Sequence, residues 1–229
     1  MENPSRRYLL TGVCYLLIIL CAGISQGYIR ESLIDFNNPV MSLQQLSSHL
    51  MLFKSAITLD LLAFMIDVIV AVLLFDFFRK QYPLASKLML SFRLIAHPAI
   101  GSINLLNQWM AAVFISNQPE SSDLIFSYLE AHQLGYLMAG VFFGVHCVLL
   151  GWLIYYSKGL PQWLGILMIM AGLTYWIESF GLIYWPHLKV TLSWIVGLGA
   201  AIGEISLSIY LIIKSTKFGA QSSSKLKLS

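Results

Sequence analysis

Six stretches of this chain are long and apolar enough to cross a bilayer, and they constrain the fold more than any single motif does. They cover residues 8–24, 51–78, 84–114, 131–156, 162–183 and 190–213. A hydrocarbon core about 30 Å thick is matched by ~20 residues of α-helix. Inside hydrocarbon the backbone must satisfy its own hydrogen bonds, which leaves only helices and closed barrels. Barrel strands need alternating segments of about ten residues, and none are evident. Charged residues make up 11% of the chain, against about 25% in a soluble domain. The expected fold is an all-α membrane protein with six transmembrane helices over residues 1–214, followed by a polar basic tail over 215–229.

Charge placement orients the bundle. Ten of the fourteen Lys and Arg fall at the ends and turns on the side of the two termini. Three, Arg30, Lys54 and Lys189, fall on the other side, and Arg93 lies within a span. The positive-inside rule then puts both termini in the cytoplasm of a multi-pass cell-membrane protein. Ser5-Arg6-Arg7 ahead of Leu9-Leu10 has a twin-arginine look, but the apolar run is too long for a cleaved signal and reads as a first span. Cys14, Cys21 and Cys147 sit inside apolar segments, with no disulfide framework and no zinc spacing. Residues 26–49 read as the longest polar connection, with a short interfacial helix over 41–50, and residues 117–130 read as a polar loop.

The third segment carries more polar groups than lipid tolerates. Arg93, His97, Gly101, Asn104 and Gln108 share one helical face about 80° wide. Pro98 should bend that helix and free the carbonyl of Leu94. On the second segment Asp60 and Asp67 share a stripe with Ala56, Ala63 and Ala71, so that stripe should face protein. Gly140, Gly144 and Gly151 form a small-residue face expected to pack inside the bundle, with a homo-oligomer as the alternative. At about 1.5 Å of rise per residue, Asp67, Arg93, His97, His146 and Glu204 fall near mid-membrane. Asp60, Asn104 and Glu178 form a second layer nearer the outer face. Arg93 cannot shed its proton, so it should be the counter-ion of Asp67, Glu204 or both.

Three functions fit this pattern. The first is a small-ligand or proton-linked binding or transport site at Asp67, Arg93, His146 and Glu204, because ionisable groups in a membrane interior mark function by default. The second is an intramembrane hydrolase using a metal at His97 and His146 with Asp67 or Glu204. No HExxH spacing supports it, and Arg93 beside the ligands argues against a cation. The third is a structural or interaction protein whose ion pairs only fix helix packing. No haem-attachment motif, phosphate loop or nucleic-acid patch is present. The expected partners are therefore the lipid bilayer and a small molecule, with the cofactor left open.

The chain also resembles the bacterial integral membrane proteins grouped as domain of unknown function 4386. The matching residues are Arg7-Tyr8-Leu9-Leu10-Thr11-Gly12, Asp60 with Asp67, Phe92-Arg93-Leu94 and Asn104-Leu105-Leu106. The densest stretch runs from Val141-Phe142-Phe143-Gly144-Val145-His146 through Gly151-Trp152 and Leu160-Pro161 to Ala171-Gly172-Leu173, and Gly203-Glu204 completes it. The resemblance implies six spans and no established activity.

Overall fold

The computed structural model describes the backbone of residues 4–226 and the side chains of residues 4–217. Residues 1–3 and Lys227 lie outside the described residues, and so does the side chain of Lys225, so most of the expected basic tail is described in backbone only. Among the described residues the elements are all helical. Helix α1 (Pro4–Ala22) runs through a wide π-helical segment (Gly23–Arg30) into a short α2 (Glu31–Leu33). Then come α3 (Pro39–Ser48) and α4 (Leu50–Phe78). Helix α5 (Pro83–Leu94) passes through a second π-helical segment (Ile95–Gly101) into α6 (Ser102–Asn117). Helices α7 (Ser122–Tyr156), α8 (Gln162–Tyr184) and α9 (Lys189–Leu226) complete the order. Six of the resulting helical runs are long and apolar enough to cross a membrane.

Two boundaries differ from expectation. The first span continues to Leu33, where falling hydropathy suggested an end near residue 24. The helix persists because its polar residues turn inward: Ser25 and Arg30 are buried. The fourth helix begins at Ser122, so most of the expected 117–130 loop is helix. Asp123 in its first turn suits the positive end of the helix dipole. Ile125 and Leu129 are buried in an apolar cluster with Leu46, Phe53, Ala56 and Ala111. The expected interfacial helix appears as α3. Its start is set by Pro39 and by Asn38, whose side-chain oxygen accepts from the Met41 N–H at 3.2 Å.

The third span does not simply break at Pro98. Proline offers no N–H, and the surrounding turn widens to the π form, which absorbs the missing bond without ending the helix. Contacts across the bundle place both described ends of the chain at one end of it. Ser5 Oγ donates to the Ser215 carbonyl at 2.8 Å. Arg7 pairs with Asp76, and the Tyr82 hydroxyl donates to the Tyr156 carbonyl at 3.1 Å.

The glycine face of α7 is an internal contact with α8. A Cβ on Gly151 would stand 2.5 Å from the Gly165 carbonyl oxygen, and one on Gly172 would stand 2.6 Å from the Gly144 carbonyl oxygen. Backbones approach this closely only without side chains between them. Trp176 locks the crossing by donating Nε1–H to the Val141 carbonyl at 3.0 Å. Tyr15, Leu74, Phe143, Leu150, Leu164 and Leu207 build the main apolar core around it.

Candidate functional site

Arg93 is fully buried, and three other spans converge on it. From α4, Asp67 Oδ1 accepts both the Nε–H (2.9 Å) and an Nη2–H (2.5 Å). From α1, the Tyr15 hydroxyl oxygen accepts from Nη1 at 2.6 Å. From α7, His146 Nε2 lies 2.8 Å from Nη1. A guanidinium only donates, so Nε2 must be the acceptor and the imidazole proton sits on Nδ1. Nδ1 then donates to the Met89 carbonyl at 2.9 Å. The aromatic faces of Tyr15 and Phe143 lie 4.6 and 5.3 Å from the guanidinium carbon. The cluster is closed off from the surface and nearly saturated. Its one open acceptor is Asp67 Oδ2, which is buried without a hydrogen bond.

The neighbour of that oxygen is His97, which lines a cavity. His97 Nδ1 stands 3.5 Å from Asp67 Oδ2, long for a hydrogen bond but within ion-pair reach. The π-helical turn presents His97 between the rings of Phe64 and Phe143, with centroids 5.8 and 4.3 Å away. The imidazole also forms part of the wall of a cavity of ≈ 390 Å³. Tyr136, Tyr175, Glu178, Ser193 and Glu204 line the same cavity. Glu204 accepts from the Tyr175 hydroxyl at 3.3 Å, and Glu178 accepts from Ser193 Oγ at 3.1 Å. Neither carboxylate has an ion-pair partner among the described residues. Two further cavities, of ≈ 510 and ≈ 310 Å³, follow on, and Gln26 lines all three. Both of these are bordered by the exposed Lys189, and all three are mostly apolar voids with a few polar side chains on their walls.

A second buried ion pair sits seven residues along α4. Asp60 takes one hydrogen bond from Ser25 and another from Arg30, both in the first π-helical segment. Arg30 Nη2 also donates to Gln108 Oε1 at 2.7 Å. Its Nε and Nη1 have no partner, nor does Nε2 of the neighbouring His132. Helix α4 thus offers two aspartates on one face, about 10 Å apart along the axis, and each meets an arginine from a different span.

The expected mid-membrane set therefore divides. Asp67, Arg93 and His146 come together, while Glu204 makes no ion pair with Arg93 and lies on the cavity instead, with His97. The expected outer layer also divides. Asp60 belongs to the Arg30 pair, Glu178 to the cavity, and the Asn104 side chain donates to the His132 carbonyl at 2.8 Å beside Gly135. The sequence reading missed Arg30 because it assigned that residue to a loop. The usable signal was the excess of carboxylates at depth, which required a second cation. It also passed over Tyr15, Tyr136 and Tyr175, ordinary aromatic residues on ordinary apolar stripes, and no spacing marked them. Among the described residues, no three His, Cys, Asp or Glu side chains gather closely enough to hold a metal. His146 commits both ring nitrogens to Arg93 and Met89.

Fold and site together define a multi-pass helical membrane protein with a charged, partly hollow interior. The chain belongs to the family described as Domain of unknown function (DUF4386), whose model matches residues 10–215. An uncharacterized protein of the archaeon Archaeoglobus fulgidus is 31% identical over 156 residues, which cover 68% of this chain and 81% of that protein. The resemblance named bacterial proteins, whereas this relative is archaeal. No solved structure matches the chain.

Proposed function

We propose that the protein carries a proton-linked binding or transport site for a small ligand in the cavity bounded by His97, Glu178 and Glu204. The observation that carries this reading is a pair of carboxylates on one largely apolar cavity, each held by a single hydroxyl and neither paired with a cation among the described residues. A carboxylate in such a place takes up a proton or meets a donor group of a ligand, because leaving it ionised and unpaired is costly. His97 is the natural relay, since one face meets the cavity and Nδ1 faces the open oxygen of Asp67. Arg93, Asp67, Tyr15 and His146 serve as the rigid support against which that relay is set. Their burial favours a packing role for those four residues, and this reading confines the ligand to the cavity. The charge bias of the turns supports a cytoplasmic location for both ends of the chain and a cell membrane as host.

Two readouts test the reading. In a variant with Cys14, Cys21 and Cys147 replaced by alanine, Ala200→Cys on the cavity wall should react with a membrane-impermeant thiol reagent, and Leu150→Cys in the core should not. Proteoliposomes with a trapped pH dye should take up protons down an imposed gradient, and Glu204→Gln and His97→Gln should abolish the uptake. Failure to label Ala200→Cys while a surface cysteine labels removes the hydrated cavity. Uptake unchanged in Glu204→Gln removes the proton role.

A further inference from the structure

We propose that the connected cavities recognise a small zwitterion: an anionic oxygen group held at Arg30 and an ammonium group held at Glu178. This assignment names a ligand class and rests on the cavity reading above.

The first support is a set of unmatched donors. Arg30 is 7% exposed and His132 is 7% exposed, and both line the ≈ 310 Å³ cavity. Arg30 gives only Nη2 to Asp60 and Gln108, which leaves the Nε–H and both Nη1 hydrogens without an acceptor. Buried guanidinium hydrogens are normally satisfied, and three unmet ones on a residue that borders this void point to an oxygen-rich occupant. His132 Nδ1 lies 3.3 Å from the Asn104 carbonyl, so Nδ1 carries the proton and the unmatched Nε2 is an acceptor. The second support is the opposite deficit farther in. Glu178 lines the next two cavities and makes no ion pair among the described residues, while Lys189 on the shared wall donates to Gln133, and Tyr136 and Ser193 border the same two cavities. Gln26 lines all three voids, so the donor-rich and acceptor-rich ends belong to one path.

Charge bookkeeping favours a ligand with both poles. Asp60 already neutralises Arg30, so a simple anion would add an uncompensated charge. A simple cation at Glu178 would leave the Arg30 hydrogens unmet. A molecule carrying both groups satisfies each end and brings no net charge into low dielectric. Free ω-amino acids and the ethanolamine headgroup of a phospholipid share this chemistry.

The test is thermal unfolding of the full chain in phosphatidylcholine nanodiscs. The added probes are glycine, β-alanine and 4-aminobutyrate, with acetate and methylammonium as single-pole controls at matched ionic strength. A concentration-dependent rise in Tm with one of the amino acids, beyond the sum of the two controls, supports a free solute. A rise seen only when phosphatidylethanolamine replaces phosphatidylcholine supports a lipid headgroup. No rise in either arm, or controls that equal the amino acids, overturns the proposal. Arg30→Gln risks unfolding by stranding Asp60, so the informative variant is Gln108→Glu. It presents Arg30 with a carboxylate from within, in place of the amide oxygen that Nη2 already reaches at 2.7 Å. Gln108→Glu and Glu178→Gln should each weaken the response about tenfold or more, the worth of a charge-assisted hydrogen bond. A response unchanged in both also overturns it. Labelling of Ala200→Cys and proton uptake do not depend on this ligand, so they show separately whether the cavity reading itself has failed.

Discussion

Consider replacing Arg93 by leucine. The change removes two hydrogen bonds to Asp67 Oδ1, one to Tyr15 and one to His146, in a place closed off from the surface. Asp67 is left as an uncompensated buried charge, and breaking such a pair from one side costs about 3–5 kcal/mol. Asp67→Leu leaves the guanidinium uncompensated and should cost the same. In the double variant no charge remains. What is lost is then a partner for the Tyr15 hydroxyl and one for His146 Nε2, about 1–3 kcal/mol for each group left unsatisfied. The two single changes therefore sum to roughly 6–10 kcal/mol, while the double variant should cost roughly 2–6. The measurement is a double-mutant cycle from reversible unfolding in mixed detergent–SDS micelles, followed by helical circular dichroism. The difference should appear as a coupling energy of about 4 kcal/mol, the gap between the midpoints of those ranges. If the costs of the two single changes add to within about 0.5 kcal/mol in the double variant, the residues do not form the isolated pair described and the argument fails.

Gly151→Val places a side chain against the backbone of Gly165, with Cβ 2.5 Å from its carbonyl oxygen. It should lower stability in micelles by at least ~1–3 kcal/mol, and a neutral result would refute the close α7–α8 crossing. Gly23→Ala is the opposite case, because nothing lies within 4 Å of the added Cβ. It should leave the Tm unchanged or raise it, by up to ~1 kcal/mol of helix propensity. A large loss would mean that the π-helical turn needs the glycine itself. Lys158→Cys and Gln118→Cys, each alone in the cysteine-free background, should label from opposite sides of the membrane in intact cells. Gln118→Cys should react with an impermeant reagent added outside, and Lys158→Cys only after permeabilisation. The reverse pattern would invert the topology.

Much of the fold was readable because hydrocarbon enforces simple rules. Six apolar runs gave six spans, and the glycine face of α7 gave a close contact with a neighbouring helix. The errors fell where polar residues turned inward at the end of a helix. Ser25, Gln26 and Arg30 lower local hydropathy just as a loop would, and only their burial separates the two cases. Depth along the chain put Arg93, Asp67 and His146 at one level, and the structure joins them, because each sits in regular α-helix of constant rise, in α5, α4 and α7. It could not tell which carboxylate would be paired. Glu204 and Asp67 lie at similar depths, but the azimuth of one helix relative to another is not encoded in either sequence segment. His97 shows a further limit. Pro98 announced a disturbance, yet the π-helical form that turns the imidazole toward both Asp67 and the cavity is a property of the packed turn.

The two aspartates of α4 have a mechanical consequence. Ion pairs at two heights on one stiff rod remove both its rotation about its axis and its sliding along it, because either motion separates at least one pair. The arginines belong to the first and third spans, so those spans and α4 are tied into one body. The cavity carboxylates are held differently. Glu178 and Glu204 ride on α8 and α9 and are restrained by single hydroxyl contacts, from Ser193 and Tyr175. These two side chains are therefore freer to turn than the two aspartates, while α8 itself stays fixed to α7 by the glycine contact. A change in cavity shape falls to the carboxylates and their hydroxyl partners before it falls to the helices that carry them.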